Sequence, residues 1–400
     1  MMRRITSFAR RALLATTLVA TAAAGQTAPP IPAWGGALQP QDRDERGLWM
    51  MSSDDEAVLK DSRFLITDKP LNDYVRGVLC RTVGAERCGA VRLYIMRVPA
   101  FNASMSPNGM MQLWSGALLR MRTEAELAAV LGHEFAHYER RHSLAGFKQA
   151  RAATDAAIWA SFIPIAGLAL SLGALQGFFL YNQAQEKEAD LNGFSFVMQG
   201  GYRTGAFADV WERLIAEEDA GRVARGQKAR GGRRSGFFAT HPASAERMTY
   251  LRALARQAGD TADASTASHR AGLGPWYARF LDDQLKLNDF GGTEWLLADF
   301  ARTEGWTGAL LAARGDLYRL RGQAGDMAQA AGFYREALAK GHDDPETRRG
   351  LGLALLRQGQ QAEGQAMLKA YLDLRPDAND AAMLRMMAGL PPKTATGPTT

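Results

Sequence analysis

His133-Glu134-Phe135-Ala136-His137 is the stretch that decides how this chain reads. It spells His-Glu-x-x-His, and two histidines four apart stand one turn apart on the same helical face, so both imidazoles can reach one metal ion. The glutamate beside the first histidine is placed to take a proton from a water held at that metal. The surroundings support a helix. Thr123-Glu124-Ala125-Glu126 has the form of a capping box, and Leu127, Val130, Leu131 and Phe135 follow at helical spacing. The pattern predicts one helix from this cap to about Phe147.

A zinc site needs a third protein ligand and keeps a fourth position for water. Glu186-Lys187-Glu188-Ala189-Asp190 offers carboxylates at helical spacing, with Glu186 and Asp190 on one face. Glu186 is assigned to the metal and Asp190 to orienting a ligand histidine through its free N–H. Read alone, the segment is more often an ordinary solvated helix face, with Lys187 between the acids. Its position downstream of the first motif gives it weight.

With these residues in hand, the chain resembles the zinc metallopeptidase family of HtpX and the CAAX prenyl endopeptidases, and within it the soluble periplasmic branch with C-terminal tetratricopeptide-like repeats. The resemblance spans roughly residues 45 to 255. It is carried by Asn102-Ala103 through Asn108-Gly109, by Met111-Gln112-Leu113-Trp114-Ser115-Gly116, by the motif helix, by Glu186 through Gly193, and by Thr240-His241-Pro242 with Arg247. It implies a gluzincin-type catalytic domain with a small sheet and one zinc ion per chain. Three roles are open to His241: a structural histidine, a donor to the developing oxyanion, or a fourth zinc ligand that closes the site. The resemblance favours the last.

The N-terminus points to export. Arg3, Arg4, Arg10 and Arg11 precede an apolar run from Ala12 to Ala24, the form of a signal peptide cut after Ala24. The formal net charge is +6, and those four arginines, with no acid among residues 1–24, account for all but +2 of it. The basic balance therefore makes no case for nucleic-acid binding. Cys80 and Cys88 are the only cysteines. In an exported chain they read as a disulfide, with two free thiols as the alternative.

About 376 residues remain after the signal, room for two domains. Residues 25–41 read as a Pro-rich leader with little to pack, 42–256 as the metallopeptidase domain, 257–271 as a linker, 272–388 as helical repeats and 389–400 as a disordered tail. The expected class is mainly α, with an α+β catalytic domain followed by an α-solenoid. Glu56 to Val83 reads as helix, while Val91–Met96 and Met111–Trp114 read as strands, one of them the edge that receives substrate. Between Asp155 and Glu186 no residue is charged. Residues 158–180 are long enough to span a bilayer, but Pro164 and several glycines favour a buried hairpin, with contact to a membrane surface as a further reading. Gly221 to Gly236 carries six basic residues and no acid, the composition of a solvated loop or of a mobile lid. His142 reads as a surface residue turned away from the metal, and His269 and His342 as uninvolved.

Gly315, Gly322 and Tyr334 recur 37 positions later as Gly352, Gly359 and Tyr371. Both units read as helix, turn, helix, similar to tetratricopeptide repeats, whose period is about 34. Residues 276–305, with Trp295 on an apolar face, read as an earlier, degenerate unit. The expectation from the whole chain is an exported zinc endopeptidase in which Glu134 activates a zinc-bound water. Its expected partners are misfolded or stalled envelope proteins and, through the repeats, the outer-membrane assembly machinery. Two alternatives stand beside it: an assembly factor whose zinc site His241 holds closed, and an integral membrane peptidase using residues 158–180.

Overall fold

The structure is a computed structural model that describes residues 28–153, 181–231, 241, 245–259 and 265–392. The expected signal peptide, the apolar run 158–180, Thr240, Pro242 and the tail from residue 393 lie outside the described residues.

Where one helix was expected from Glu56 to Val83, there are two, α1 (Arg43–Lys60) and α2 (Lys69–Val83). The break is a start signal in its own right. Asp68 accepts from Leu71 N at 3.0 Å and Pro70 occupies the first turn, a pairing that favours a fresh helix start. The connection runs along β1 (Arg92–Met96), with Ile66 N donating to Ile95 O at 2.8 Å and Arg97 N to Phe64 O at 2.7 Å.

After the short α3 (Ala85–Gly89) and β1 come β2 (Ala103–Met105) and β3 (Met110–Trp114), ordered β1-β3-β2. β3 runs parallel to β1, pairing Arg92 with Met110, and antiparallel to β2, pairing Ala103 with Leu113. As the central strand, β3 has Met110 to Leu113 all buried. It is therefore no edge. The edges are β1, one of the two strands expected there, and β2, which packs on the motif helix and is too short for alternation to reveal. The β2–β3 turn requires Gly109. Its φ is +88°, and a Cβ there would stand 2.6 Å from Ala90 O. Glu56 ties α1 to this sheet, accepting from Arg92 Nε and Nη2 at 2.6 Å each, Tyr94 OH at 2.7 Å and Asn108 Nδ2 at 3.0 Å.

Following α4 (Ser115–Arg120), the motif helix α5 (Glu124–Glu139) crosses α7 (Gln183–Gln199), and α2 packs on both. α6 (His142–Ala153) lies between them in sequence. The leader, expected to pack little, lies from Ala28 onward against these helices. Ser195 donates to Pro29 O at 2.7 Å, Leu38 N donates to Tyr138 OH at 3.2 Å, and Trp34 sits 5.9 Å from the Phe135 ring. An extended Pro-rich strand has no core of its own, but Ile31, Trp34 and Leu38 find an apolar surface to cover. A disulfide joins Cys80 on α2 to Cys88 on α3, with 4.9 Å between their Cα atoms.

α8 (Ala206–Ala224) and α9 (Ala245–Ala258) complete the unit built around the motif helix. α8 absorbs the start of the expected basic loop, because Gly221 packs where a Cβ would meet Asp289 at 2.7 Å. α10 (Thr266–Leu285) likewise occupies part of the expected linker. Its His269 is structural: Nδ1 meets Tyr74 OH at 2.8 Å and Nε2 meets Met121 O at 3.0 Å.

Six further helices follow: α11 (Phe290–Glu304), α12 (Gly308–Arg321), α13 (Asp326–Ala339), α14 (Pro345–Arg357), α15 (Gln361–Leu374) and α16 (Ala381–Met387). Consecutive helices pack against one another, and one apolar core runs from Ile66 to Leu355. The recurring residues do local work. Gly322 and Gly359 turn the chain at φ +66° and +77°, and Gly315 leaves room for the Tyr334 ring. Trp295 departs from its expected place. Leu296, Leu297 and Phe300 form the buried face of α11, while Trp295 is half-buried under Arg302.

The Glu56 contacts predict an acid-sensitive fold. Hydrogen bonding to Arg92 outweighs burial and lowers the Glu56 carboxyl from 4.5 to about 2. A lowered folded-state pKa stabilises above the unfolded value and is lost as pH falls towards about 2. Glu56→Gln should therefore cost about 2 kcal/mol at neutral pH, moderated by the half-exposed Arg92. Chemical denaturation should show the gap to wild type narrowing below about pH 4. A gap that persists there contradicts the assignment.

Candidate metal centre

The cap of α5 is one-sided. Thr123 Oγ1 accepts from Glu126 N at 3.2 Å, but the Glu126 carboxylate reaches Arg122 N at 2.7 Å rather than Thr123 and is also paired with Arg213. The far end corrects the expected run to Phe147. α5 stops at Glu139, and Arg141 takes a left-handed conformation at φ +54°, its guanidinium bound to Glu45. The chain reverses there, and α6 starts at His142.

α5 and α7 touch through glycines. A Cβ on Gly193 would lie 3.0 Å from His133 N, and one on Gly132 would lie 3.4 Å from Gly193 O. This contact sets the donors face to face. His137 Nε2 is 3.1 Å from His133 Nε2, and Glu186 approaches His133 Nε2 at 3.7 Å and His137 Nε2 at 3.5 Å. His241 closes the group, its Nδ1 3.1 Å from Glu186 Oε1 and 3.4 Å from His133 Nε2. All four residues are buried, and one donor atom from each lies within 4.8 Å of the others.

These spacings test the fit to zinc. Ligands about 2.0–2.1 Å from a tetrahedral ion stand roughly 3.3 Å from one another. The five distances straddle that edge, and three imidazoles with one carboxylate are donors zinc accepts. The cluster fits a single ion.

The supports are as specific as the donors. Asp190 Oδ1 lies 3.1 Å from His133 Nδ1, an ion-pair distance on the side of the ring away from the centre, though Nδ1 makes no hydrogen bond among the described residues. Arg247 on α9 holds Asp190 through Nε at 2.8 Å and Nη2 at 2.7 Å, and its Nη1 donates to Glu186 Oε2 at 2.5 Å. Tyr250, one turn along the same helix, donates to Asp190. The Tyr181 ring stacks on His137 at 3.7 Å. Glu134 points its buried Oε1 towards His241 Nε2, 3.7 Å away, and that oxygen has no hydrogen-bond partner among the described residues.

Electrostatics sort the groups. Burial pushes the His137 imidazole well below its usual value, into the neutral form a ligand requires. Burial works against ionisation of Glu186 and Asp190, but His241 and Arg247 outweigh it at Glu186, as Arg247 and His133 do at Asp190, so both carboxyls stay low. Glu134 goes the other way, raised by burial beyond what His241 and His133 offset.

The structure thus gathers His133, Glu134, His137, Glu186, Asp190 and His241, all singled out in the sequence. It corrects the reading of His142, which is buried with Nδ1 2.9 Å from His137 Nδ1, because the reversal at Arg141 folds it back over the motif. Tyr181 and Tyr250 were missed. Tyr250 had a usable signal, standing three residues after Arg247, whereas Tyr181 had none.

Residues 71–255 match the family model described as Peptidase family M48. The chain is 30% identical over 214 residues to a protein of Vibrio cholerae named putative beta-barrel assembly-enhancing protease, a match covering 50% of this chain and 42% of that one. It is 32% identical over 195 residues to the mitochondrial metalloendopeptidase OMA1 of Schizosaccharomyces pombe, covering 46% and 53%. It is 32% identical over 159 residues to the metalloprotease LoiP of Escherichia coli, covering 38% and 57%. The chain spans about half the length of the curated relatives it matches.

If Asp190 orients His133, then Asp190→Asn should weaken zinc binding about 10–100-fold. Competition against a chromogenic chelator reads this directly. An unchanged affinity in a folded variant contradicts the role.

Proposed function

We propose, from the Peptidase family M48 domain that residues 71–255 form, that this chain is an exported zinc-dependent endopeptidase acting on misfolded or stalled envelope proteins. The observation that carries the reading is the buried meeting of His133, His137 and Glu186 with the Glu134 carboxylate beside them. When bound, the zinc acts as a Lewis acid on the scissile carbonyl and on the attacking water. The chain supplies the rest. Glu134, its carboxyl raised by burial, takes the proton from that water and passes it to the departing amine. Asp190 and Arg247 hold His133 and Glu186 still while this happens. The free edge of β2, packed on α5, suits an extended peptide added as one more strand.

The envelope substrates are suggested by the Vibrio cholerae relative, named a putative beta-barrel assembly-enhancing protease, and by the N-terminal sequence. The paired helices α12–α15 suit docking on a partner such as the outer-membrane assembly machinery. Among the described residues no helix is long and apolar enough to cross a membrane.

His241 favours a second reading of the same site. Its Nδ1 stands at ligand spacing from Glu186 and His133, so it fills the position a substrate or water needs. In that state the chain serves as an assembly factor, and cleavage awaits displacement of His241.

Cleavage of an unfolded protein by purified wild type, Glu134→Gln and His241→Ala, with zinc measured in each, separates the two. The peptidase reading expects one zinc per chain throughout, a loss of about 10²–10⁴-fold in Glu134→Gln, and faster cleavage by His241→Ala. Equal rates for wild type and Glu134→Gln overturn it. A zinc-loaded wild type that does not cleave, with cleavage appearing only in His241→Ala, favours the closed site and the assembly role.

A further inference from the structure

The two ligand histidines are held by different means. His133 leans on the buried Asp190, whereas His137 leans on a third histidine. His137 Nε2 faces the other donors, so its Nδ1 carries the proton, and that atom lies 2.9 Å from His142 Nδ1. His142 must then accept at Nδ1 and carry its own proton on Nε2, which lies 3.1 Å from Glu188 Oε2. Only this arrangement of protons satisfies every atom of the chain His137–His142–Glu188. Its outer end is fixed in turn. Glu188 also meets Arg140 Nε at 3.3 Å, Arg140 bonds Asn192 Oδ1 at 2.9 Å, and Asn192 returns a bond to Glu188 O at 2.7 Å.

We propose that His142, backed by Glu188, is a positioning residue for zinc binding: it accepts the His137 Nδ1–H and so holds Nε2 towards the metal. The inference rests on the zinc-peptidase reading for the presence of the ion, though not on any cleavage. Three features support the role. His142 is nearly as buried as the ligands, its ring stands 4.9 Å from that of His137, and the left-handed turn at Arg141 serves to bring it there. A neutral imidazole is a weaker acceptor than a carboxylate, so the contact orients His137 without adding a further buried charge to those of Glu134, Glu186 and Asp190. Glu188, with its side chain about half exposed, keeps that charge at the surface.

The test is zinc affinity, by chelator competition on the purified full chain, with thermal unfolding of the metal-free form as the control for folding. His142→Phe fills the space but accepts nothing, and is expected to bind zinc about 10–100-fold more weakly while the metal-free form unfolds near wild type. His142→Asn keeps an acceptor near the same place and should restore affinity to within about tenfold of wild type. Glu188→Met removes the outer acceptor at a half-exposed position and should weaken binding several-fold. A folded His142→Phe with wild-type affinity overturns the proposal, as does a His142→Asn no better than His142→Phe. If His142→Phe does not fold, Glu188→Met decides, with unchanged affinity counting against the relay. The outcomes are independent of peptidase activity. Zinc bound tightly by a wild type that cleaves nothing would sink the endopeptidase reading and leave this one standing.

Discussion

The close approach of two helices at Gly132 and Gly193 is the constraint on which the rest of the site depends. A Cβ on Gly193 would crowd His133 and Phe207, so the backbones approach closely there, and His133, beside Gly132, and His137 come within reach of Glu186 and Asp190, two and one turns from Gly193. From that contact, His133 and His137 on one helix and Glu186 and Asp190 on the other acquire their spacings by helical geometry alone. An added methyl at position 193 would press on His133 itself. Donors carried on packed helices are held more precisely than donors on loops, and three of the four here are helical.

A second constraint is charge. Three carboxylates, those of Glu134, Glu186 and Asp190, are almost wholly buried together. Arg247 offsets one of them, with partial help from His241. With the imidazoles neutral, a divalent ion brings the cluster close to neutrality. Burial of unpaired charge costs several kcal/mol per ion, so the fold and the metal favour each other. The same bookkeeping explains why α9 contributes both Arg247 and Tyr250: Asp190 can orient His133 as an acceptor only while its own charge is held.

Much of this was legible in residue spacing. The His-Glu-x-x-His and Glu-x-x-x-Asp periods each place a pair of groups on one face, and spacing is all that such an inference needs. What escaped it depends on reversals of the chain. His142 counts as turned away if α5 continues, and becomes a support for His137 only because Arg141 adopts a left-handed turn that Arg140-Arg141 does not announce. β2 is too short for alternation to show. The break between α1 and α2 was written in Asp68 and Pro70 but masked by apolar residues on both sides of it. Pro-rich composition concealed that Trp34 finds Phe135. Apart from the α1–α2 break, tertiary contact, which no local pattern encodes, decided each case.

The C-terminal helices are not a separate appendage. Arg122, just ahead of the α5 cap, pairs with Asp299 on α11 at 2.7 Å. Arg213 joins that pair to Glu126, and Arg97 reaches Asp283 on α10. The start of the motif helix is thus tied by ion pairs to the helices that follow it in the C-terminal part of the chain. All of this presupposes that the four donors hold one ion. X-ray absorption at the zinc edge of the purified protein measures that most directly. The account predicts a single four-coordinate zinc with about three imidazole nitrogens and one carboxylate oxygen at roughly 2.0–2.1 Å. A zinc ligated mainly by water, or by fewer than two histidines, contradicts it.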